Sequence, residues 1–462
     1  MIFHPFIIDN MQSTLRTHHI YSDGKNVALN AGGGHKILLV TYFFPPLNHV
    51  ASLRTYSIAL YLAEAGFNVT VLTVKKDAAN CGGAGLFSDK FTVVECGVQT
   101  GGFEGRKAAQ KNPIKSMVRA LVRWQKNWWL GNLITPWDLW FRVGLAEAKS
   151  LMRENRYDCV ISSHGPICCH LIASRLKKFN PQLFWVADYR DLWSHQHFGA
   201  VAKFPFSILQ RAIEWRINKS ADLLVTVSSP WRDKLIECYG KECLLVENGY
   251  LPEDAKFNNA DRTVFAKKYT FVYTGVFYEG IYDPAPFFEA LRELIDTSEV
   301  KADQVEVRFY GPNSHLLQGN VNAAGFQDDL VKLMPQVSRE EALRIQRGAT
   351  ALIFFAQDKP KALGVLTGKI YEYMVAGRPI IACGVRHESA VGQLLAHTTT
   401  GFICGSEKKE IVEAIRSIIA GKTPDPNMEM IKEYRRDRLV GKLAEVLRVK
   451  LAVPNRDYDE TG

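Results

Sequence analysis

Short apolar runs of strand length alternate with segments of helical period, and the chain does this in two successive series. In the first, KILLVTY (36–42) and NVTVLTV (68–74) flank a stretch where Ile58, Tyr61, Leu62 and Ala65 recur at helical spacing and Gly66 marks a stop. YDCVISS (157–163), LFWVADY (183–189), ADLLVTVS (221–228) and LLVENG (244–249) follow, with helical segments at HLIASRLKK, 207–220 and 230–239. The second series holds YTFVYTG (269–275), a helix near 285–296, VEVRFYG (305–311), the helix SREEALRIQRG and ATALIFFA (349–356). It continues through GVLTGKIYEYMVAGRPIIA (364–382), the helix ESAVGQLLAHT, the strand GFICG and the helix KKEIVEAIRSIIAG. Strands that are apolar along their length and joined through helices belong to parallel sheets covered on both faces. The expectation is two open α/β domains in tandem with a cleft between them, and 462 residues are too many for one compact core.

The boundaries follow from composition. Residues 1–34 end in AGGG and read as a flexible extension, and 35–250 form the first domain. The polar, irregular stretch 251–268 is the linker, 269–425 the second domain, and 426–462 an amphipathic crossover helix and tail. No apolar run reaches the roughly 20 residues that cross a bilayer. The first residues, MIFHPFIIDNMQSTLRTHH, lack the pattern of a signal peptide. Nine cysteines show neither a disulfide framework nor a paired CxxC, so a reducing, cytoplasmic compartment is expected.

The net charge of +9 is concentrated: seven lysines and arginines and no acid lie between Arg106 and Trp137. Segment 106–142 is also rich in tryptophan, with Lys115, Arg119 and Arg123 forming a basic row beside Ile114, Met117, Val118 and Leu121. Such a segment suits an anionic membrane surface at the inner face of the plasma membrane, or equally a solvated helix face in its own domain. No base-reading motif accompanies it, so nucleic acid is not an expected partner.

Ligands of open parallel sheets bind beyond the carboxyl ends of the strands, so chemistry is sought in the loops there. GVLTGK is one residue short of a phosphate-gripping G-x4-G-K-S/T loop and lacks its hydroxyl, which removes the ATPase reading. No GxGxxG follows the first strand, so nicotinamide binding is unsupported. What remains is a loop opening a helix, where amides and the dipole end suit a phosphate, with Lys369 as a point charge and Glu372 one turn on. An i,i+3 ion pair between Lys369 and Glu372 is the bland alternative. WVADYRDLWSHQHF (185–198) puts Asp188, Arg190 and Asp191 at a strand end, a costly placement unless they pair or face a solvated cleft. Asp191, His195 and His197 match no established metal spacing, and neither do His164, Cys168, Cys169 and His170; no metal is expected. His164 in SSHGP (162–166) suits contact with a substrate hydroxyl.

In order, these stretches resemble glycosyltransferase family 4, whose members have the GT-B fold. KILLVTYFFPP with SLRTYSIALYLAEAGFNVTVLTV resembles the family's first strand, proline loop and helix. VADYRDLW resembles its Asp-x-Arg-Asp-x-Trp segment, ADLLVTVSSPWRDKL…LLVENGY its run ending in Asn-Gly, and GKIYEYMVAGRPIIA its donor-site helix. The resemblance implies two Rossmann-like domains whose parallel sheets face an interdomain cleft. It implies an enzyme that moves a sugar, with retention, from a nucleotide-diphosphate sugar to a hydroxyl of a glycan or lipid-linked glycan, in surface polysaccharide or glycolipid synthesis, with no cofactor.

The resemblance also distributes roles. Glu372 would hold the ribose hydroxyls, and the amides near Leu366, Thr367 and Gly368, with Lys369, the diphosphate. Gly275 and Gly311 would line the donor pocket. Asn48, Ser52 and Arg54 would meet the acceptor, and His164, Asp188, Arg190 and Asp191 the acceptor or the transferred sugar. One departure is clear: many members carry Glu-x7-Glu, and eight residues before Glu372 stands Gly364. That motivates two alternatives, a catalytically silent relative that binds a sugar or serves as an assembly subunit, and a GT-B-fold sugar-nucleotide epimerase.

Overall fold

The computed structural model describes residues 34–47, 50–76, 88–97, 130, 132–195, 202–255, 268–326 and 330–452. The proposed extension to residue 33, most of the basic segment (106–129), linker residues 256–267 and the tail from 453 lie outside them. A seven-stranded sheet has the order β3-β2-β1-β4-β5-β6-β7. Its strands are β1 (Lys36–Val40), β2 (Asn68–Val74), β3 (Thr92–Cys96), β4 (Cys159–Ser163), β5 (Phe184–Tyr189), β6 (Leu223–Thr226) and β7 (Cys243–Leu245). A six-stranded sheet follows in the order β10-β9-β8-β11-β12-β13. It comprises β8 (Tyr269–Thr274), β9 (Val305–Tyr310), β10 (Val331–Met334), β11 (Ala351–Phe355), β12 (Ile380–Cys383) and β13 (Gly401–Ile403). Pairing is parallel in both, as in β1 on β2 (Leu38 opposite Thr70) and β8 on β9 (Tyr273 opposite Phe309).

The helices α1 (Val50–Glu64), α2 (Phe141–Glu154), α3 (Cys168–Phe179), α4 (Phe206–Asn218) and α5 (Ser229–Tyr239) accompany the first sheet. The second sheet is accompanied by α6 (Ala285–Asp296), α7 (Gln318–Ala323), α8 (Arg339–Gly348), α9 (Gly368–Val375), α10 (Ala390–Thr398) and α11 (Lys408–Ile419). The closing segment is two helices, α12 (Met428–Glu433) and α13 (Arg436–Ala452), where the sequence suggests one. The break has a cause: the Tyr434 carbonyl accepts from the Tyr250 amide at 3.0 Å, and the Arg436 amide donates to the Tyr250 carbonyl at 3.0 Å. The chain divides into two compact units, and along the sequence β5 is split between them, Ile134–Val186 belonging to one and Ala187–Arg456 to the other.

In the first unit, Ile37 to Val40 are fully buried, as expected of a strand apolar on both sides. In the second, alternate side chains of each strand feed two separate cores. Phe271, Tyr273, Ile353 and Phe355 join Phe287, Phe288 and Phe309 on one face. Val272, Leu352 and Phe354 join Ile370, Tyr371 and Tyr373 on the other, which anchors α9 against the sheet. Each such fully buried side chain contributes about 1.5–3 kcal/mol, so α9 and the loop before it sit on a well-packed base.

Candidate functional site

The carboxyl ends of β8 and β9 bring three of the expected residues together. Gly275 follows β8 with φ +114°, and its amide donates to the Tyr310 carbonyl at 2.8 Å. A Cβ on Gly311 would lie 2.2 Å from the Gly275 carbonyl oxygen, and one on Gly275 would lie 2.9 Å from Lys369 Cε. Gly311 admits no side chain, and Gly275 holds a backbone conformation that side chains disfavour. Lys369, in the first turn of α9, lies with Nζ 3.8 Å from the centroid of the Tyr273 ring. Burial pulls its ammonium down to about 7, with the Glu372 charge acting against that shift. The Tyr373 hydroxyl accepts from the Thr274 amide at 2.8 Å, which fixes α9 relative to the end of β8.

The loop entering α9 offers donors. Among the described residues, nothing accepts a hydrogen bond from the amides of Leu366, Thr367, Gly368 or Lys369. Thr367 is the N-cap, yet its hydroxyl makes no capping bond and is buried without a partner. A run of unpaired amides at a helix start, with a lysine beside it, is suited to an anion.

The structure also explains Gly364. A Cβ there would lie 2.1 Å from Trp231 Cδ1 and 2.3 Å from Nε1, so the indole occupies the space a glutamate side chain would need. Ser228, the N-cap of α5, donates to the Gly364 carbonyl at 2.6 Å, and Asn248 Nδ2 donates to the Leu366 carbonyl at 3.1 Å. The loop is therefore held by three residues of the segment preceding Tyr250. None of Ser228, Trp231 and Asn248 was singled out from sequence, although all lie in the quoted run from Ala221 to Tyr250.

Glu372 does not pair with Lys369. It faces Arg339, at 3.2 Å, which leads α8 and itself forms a two-pronged bond to Asp254 (2.9 and 2.7 Å). Burial pushes the Glu372 carboxyl above the ordinary range, opposed by the Arg339 charge. Asp254 is 3% exposed, and its carbonyl accepts from Arg347 at 2.8 Å. Sequence reasoning missed Arg339 and Asp254; they lie 33 and 118 positions from Glu372, with no shared motif to join them.

The residues expected near the acceptor fall in two places. In the first unit His164 is buried in the loop after β4, its ring 5.7 Å from that of His170. Ser52 and Arg54 are buried in the first turns of α1, a helix rather than a loop at this point, and Asn48 lies outside the described residues. In the second unit Asp188 is buried near the end of β5, and Arg190 reaches Asp191 at 3.9 Å. Burial raises the Tyr278 hydroxyl, and the Asp191 charge adds to that. His195 is engaged at both ring nitrogens, Nδ1 with Ser194 Oγ at 2.9 Å and Nε2 with Cys238 Sγ at 3.9 Å. His197 lies outside the described residues.

The family model Glycosyltransferase Family 4 matches residues 51–253. No curated protein matches the chain in sequence. A sucrose-phosphate synthase from Thermosynechococcus elongatus superposes with TM-score 0.60 at 15% identity, covering 90% of this chain and 99% of its own. A putative UDP-N-acetylglucosamine 2-epimerase from Listeria monocytogenes gives 0.50 at 12% identity, over 93% of this chain and 100% of its own. A trehalose-6-phosphate protein from E. coli, bound with UDP-2-fluoro glucose, gives 0.55 at 11% identity, over 91% and 100%. At such identities the likeness is one of fold, and the fold is GT-B, with two Rossmann-like domains. The match to the Glycosyltransferase Family 4 model falls on residues 51–253, and Gly275 and Lys369 lie in the second Rossmann-like domain of the GT-B fold.

Proposed function

We propose that this protein transfers a sugar, with retention, from a nucleotide-diphosphate sugar to a hydroxyl of a glycan or lipid-linked glycan at a membrane surface, in surface polysaccharide or glycolipid synthesis. The observation that carries the reading is the convergence of Gly275, Gly311 and Lys369 on a helix start with four unpaired amides. The diphosphate lies along those amides with Lys369 charged beside it, and Glu372, one turn further, accepts from the ribose hydroxyls. The relative bound with UDP-2-fluoro glucose supports a uridine or similar nucleotide. No metal is required: amide dipoles and the lysine offset the charge that develops on the leaving phosphate.

With Gly364 in place of a carboxylate, the reaction runs on positioning. The acceptor oxygen attacks the anomeric carbon on the face from which the phosphate departs. The carbon–phosphate oxygen bond breaks as the new glycosidic bond forms, and the acceptor proton passes to the leaving diphosphate. His164, Asp188, Arg190 and Asp191 orient the acceptor and the sugar.

The test is incubation of the full chain with a panel of nucleotide sugars and lipid-linked acceptor extract, in the presence of a chelator. Expected products are a nucleoside diphosphate and a glycosylated acceptor with the donor's anomeric configuration. Conversion of free donor to an isomer without acceptor would instead make the protein an epimerase. Donor binding without any product would make it a silent relative.

A further inference from the structure

Helix α4 is turned inside out. Phe204 at its entry is 72% exposed, Ile208 60%, Trp215 52% and Leu209 48%. At about 100° per residue, Ile208, Ala212, Trp215 and Lys219 fall along one line of the helix, the centre of its outward side. The inward side buries Ile217 together with three polar side chains. Gln210 donates to Asn132 Oδ1 at 2.9 Å, Glu214 accepts from the Ser194 amide at 3.2 Å, and Asn218 accepts from the Tyr189 hydroxyl at 2.8 Å. Rotating the helix to hide the apolar line would break all three bonds, so the outward face is fixed by its own interior.

The charge of that face is one-sided. Lys203, Arg211, Arg216 and Lys219 are exposed around the apolar line, and the only acid between 203 and 219 is the buried Glu214. Lys219 Nζ lies 5.3 Å from the Trp215 ring, its stem along the apolar surface and its charge at the edge. Large apolar side chains ringed by cations without anions match the headgroup boundary of an anionic bilayer. A second copy of the same face would bring like charges together, and so would the acid-free segment 106–137.

We propose that the outer face of α4 docks on an anionic lipid bilayer, with Phe204, Ile208, Leu209 and Trp215 in the headgroup–acyl boundary and the four cations at lipid phosphates. This extends the membrane-directed part of the proposed function and names a surface other than segment 106–142; it is independent of the donor site.

The test is flotation of the full chain with vesicles of phosphatidylcholine alone or mixed with phosphatidylglycerol. Wild type is expected to float with the mixed vesicles and to release as salt rises. The triple change Phe204→Ser, Ile208→Ser, Trp215→Ser should weaken binding about 100-fold, because it removes most of the buried apolar area. The pair Arg211→Glu and Lys219→Glu keeps the apolar line, and should weaken binding to mixed vesicles by at least roughly fivefold per site. Thermal stabilisation by a nucleoside diphosphate, read on the same variants, should be unchanged, which separates this proposal from the donor-site reading. The proposal is overturned if wild type ignores both vesicle types, if both variants float as wild type does, or if the face proves to hold a concentration-dependent dimer that the triple change dissolves.

Discussion

At the end of β8 a lysine lies against a tyrosine ring and a glycine, while along α4 a phenylalanine, an isoleucine and a tryptophan point outward. The first places a charge in a half-buried setting against an aromatic ring, and the second places hydrocarbon in water. Both cost free energy in the unliganded protein, and both would be relieved by the ligands proposed for them: an anion at Lys369, hydrocarbon at α4. The two also differ in rigidity. The turns at Gly311 and Gly364 are fixed by close backbone approach and by Ser228, Trp231 and Asn248, so a side chain added at either glycine costs stability. The α4 face touches little, so change there costs almost none.

The largest effect expected is on nucleotide affinity. Lys369→Met removes a charge-assisted contact to the diphosphate, and affinity should fall about 10–100-fold, from roughly 1.5–3 kcal/mol. The free protein should be as stable as wild type or more so, because a costly buried charge is gone. Calorimetric titration and thermal melting read the two quantities separately; a large loss of stability would break the comparison.

Gly364→Glu restores the carboxylate common in the family and should destabilise the fold by about 1–3 kcal/mol, since the Trp231 indole holds the space. Denaturant unfolding measures this, and Trp231→Ala in the same chain should recover part of it. Equal stability for Gly364→Glu would mean the loop moves freely.

A pH series sharpens the charge side. Burial holds free Lys369 at about 7, and a bound diphosphate favours its charged form, so binding takes up a proton. Affinity should therefore weaken as pH rises above 7, with a slope approaching tenfold per unit, and this dependence should vanish in Lys369→Met. The groups facing the ammonium, the Tyr273 ring and the Glu372 carboxylate, stay in place in that variant. The smallest effect belongs to α4: Ile208→Ser should change unfolding free energy by about 0.5 kcal/mol or less, measured in denaturant without lipid.

The thirteen strands among the described residues are not equally readable. Those buried on both sides, such as β1, β8 and β11, stand out as continuous apolar runs. Edge strands β3 and β10 do not, because TVVEC and VKLM are half-exposed and short, so their apolar signal is diluted. Helix α2 is not legible either, because it buries only Gly144, Ala148 and Leu151 and so carries little apolar signal. Within the site, Gly275, Gly311, Lys369 and Glu372 were readable because strand ends and a helix start place them. The reason for Gly364 was not, since Trp231 precedes it by 133 positions. Nor was the partner of Glu372: helical spacing offers Lys369, but the fold turns that lysine toward Tyr273 and brings Arg339 from α8. The segment 207–220 read as a helix, yet which face it would bury depended on Asn132, Ser194 and Tyr189, which no periodicity reveals.

The central claim is a diphosphate site at Gly275, Lys369 and the 366–369 amides. It is tested most directly by titrating UDP, GDP and ADP into the full chain at pH 8 in two buffers of different ionisation enthalpy. The account predicts that at least one binds with net proton uptake, and that Lys369→Met abolishes the uptake and weakens the binding. Binding of none of the three, or binding with no proton uptake and unchanged in Lys369→Met, would contradict it.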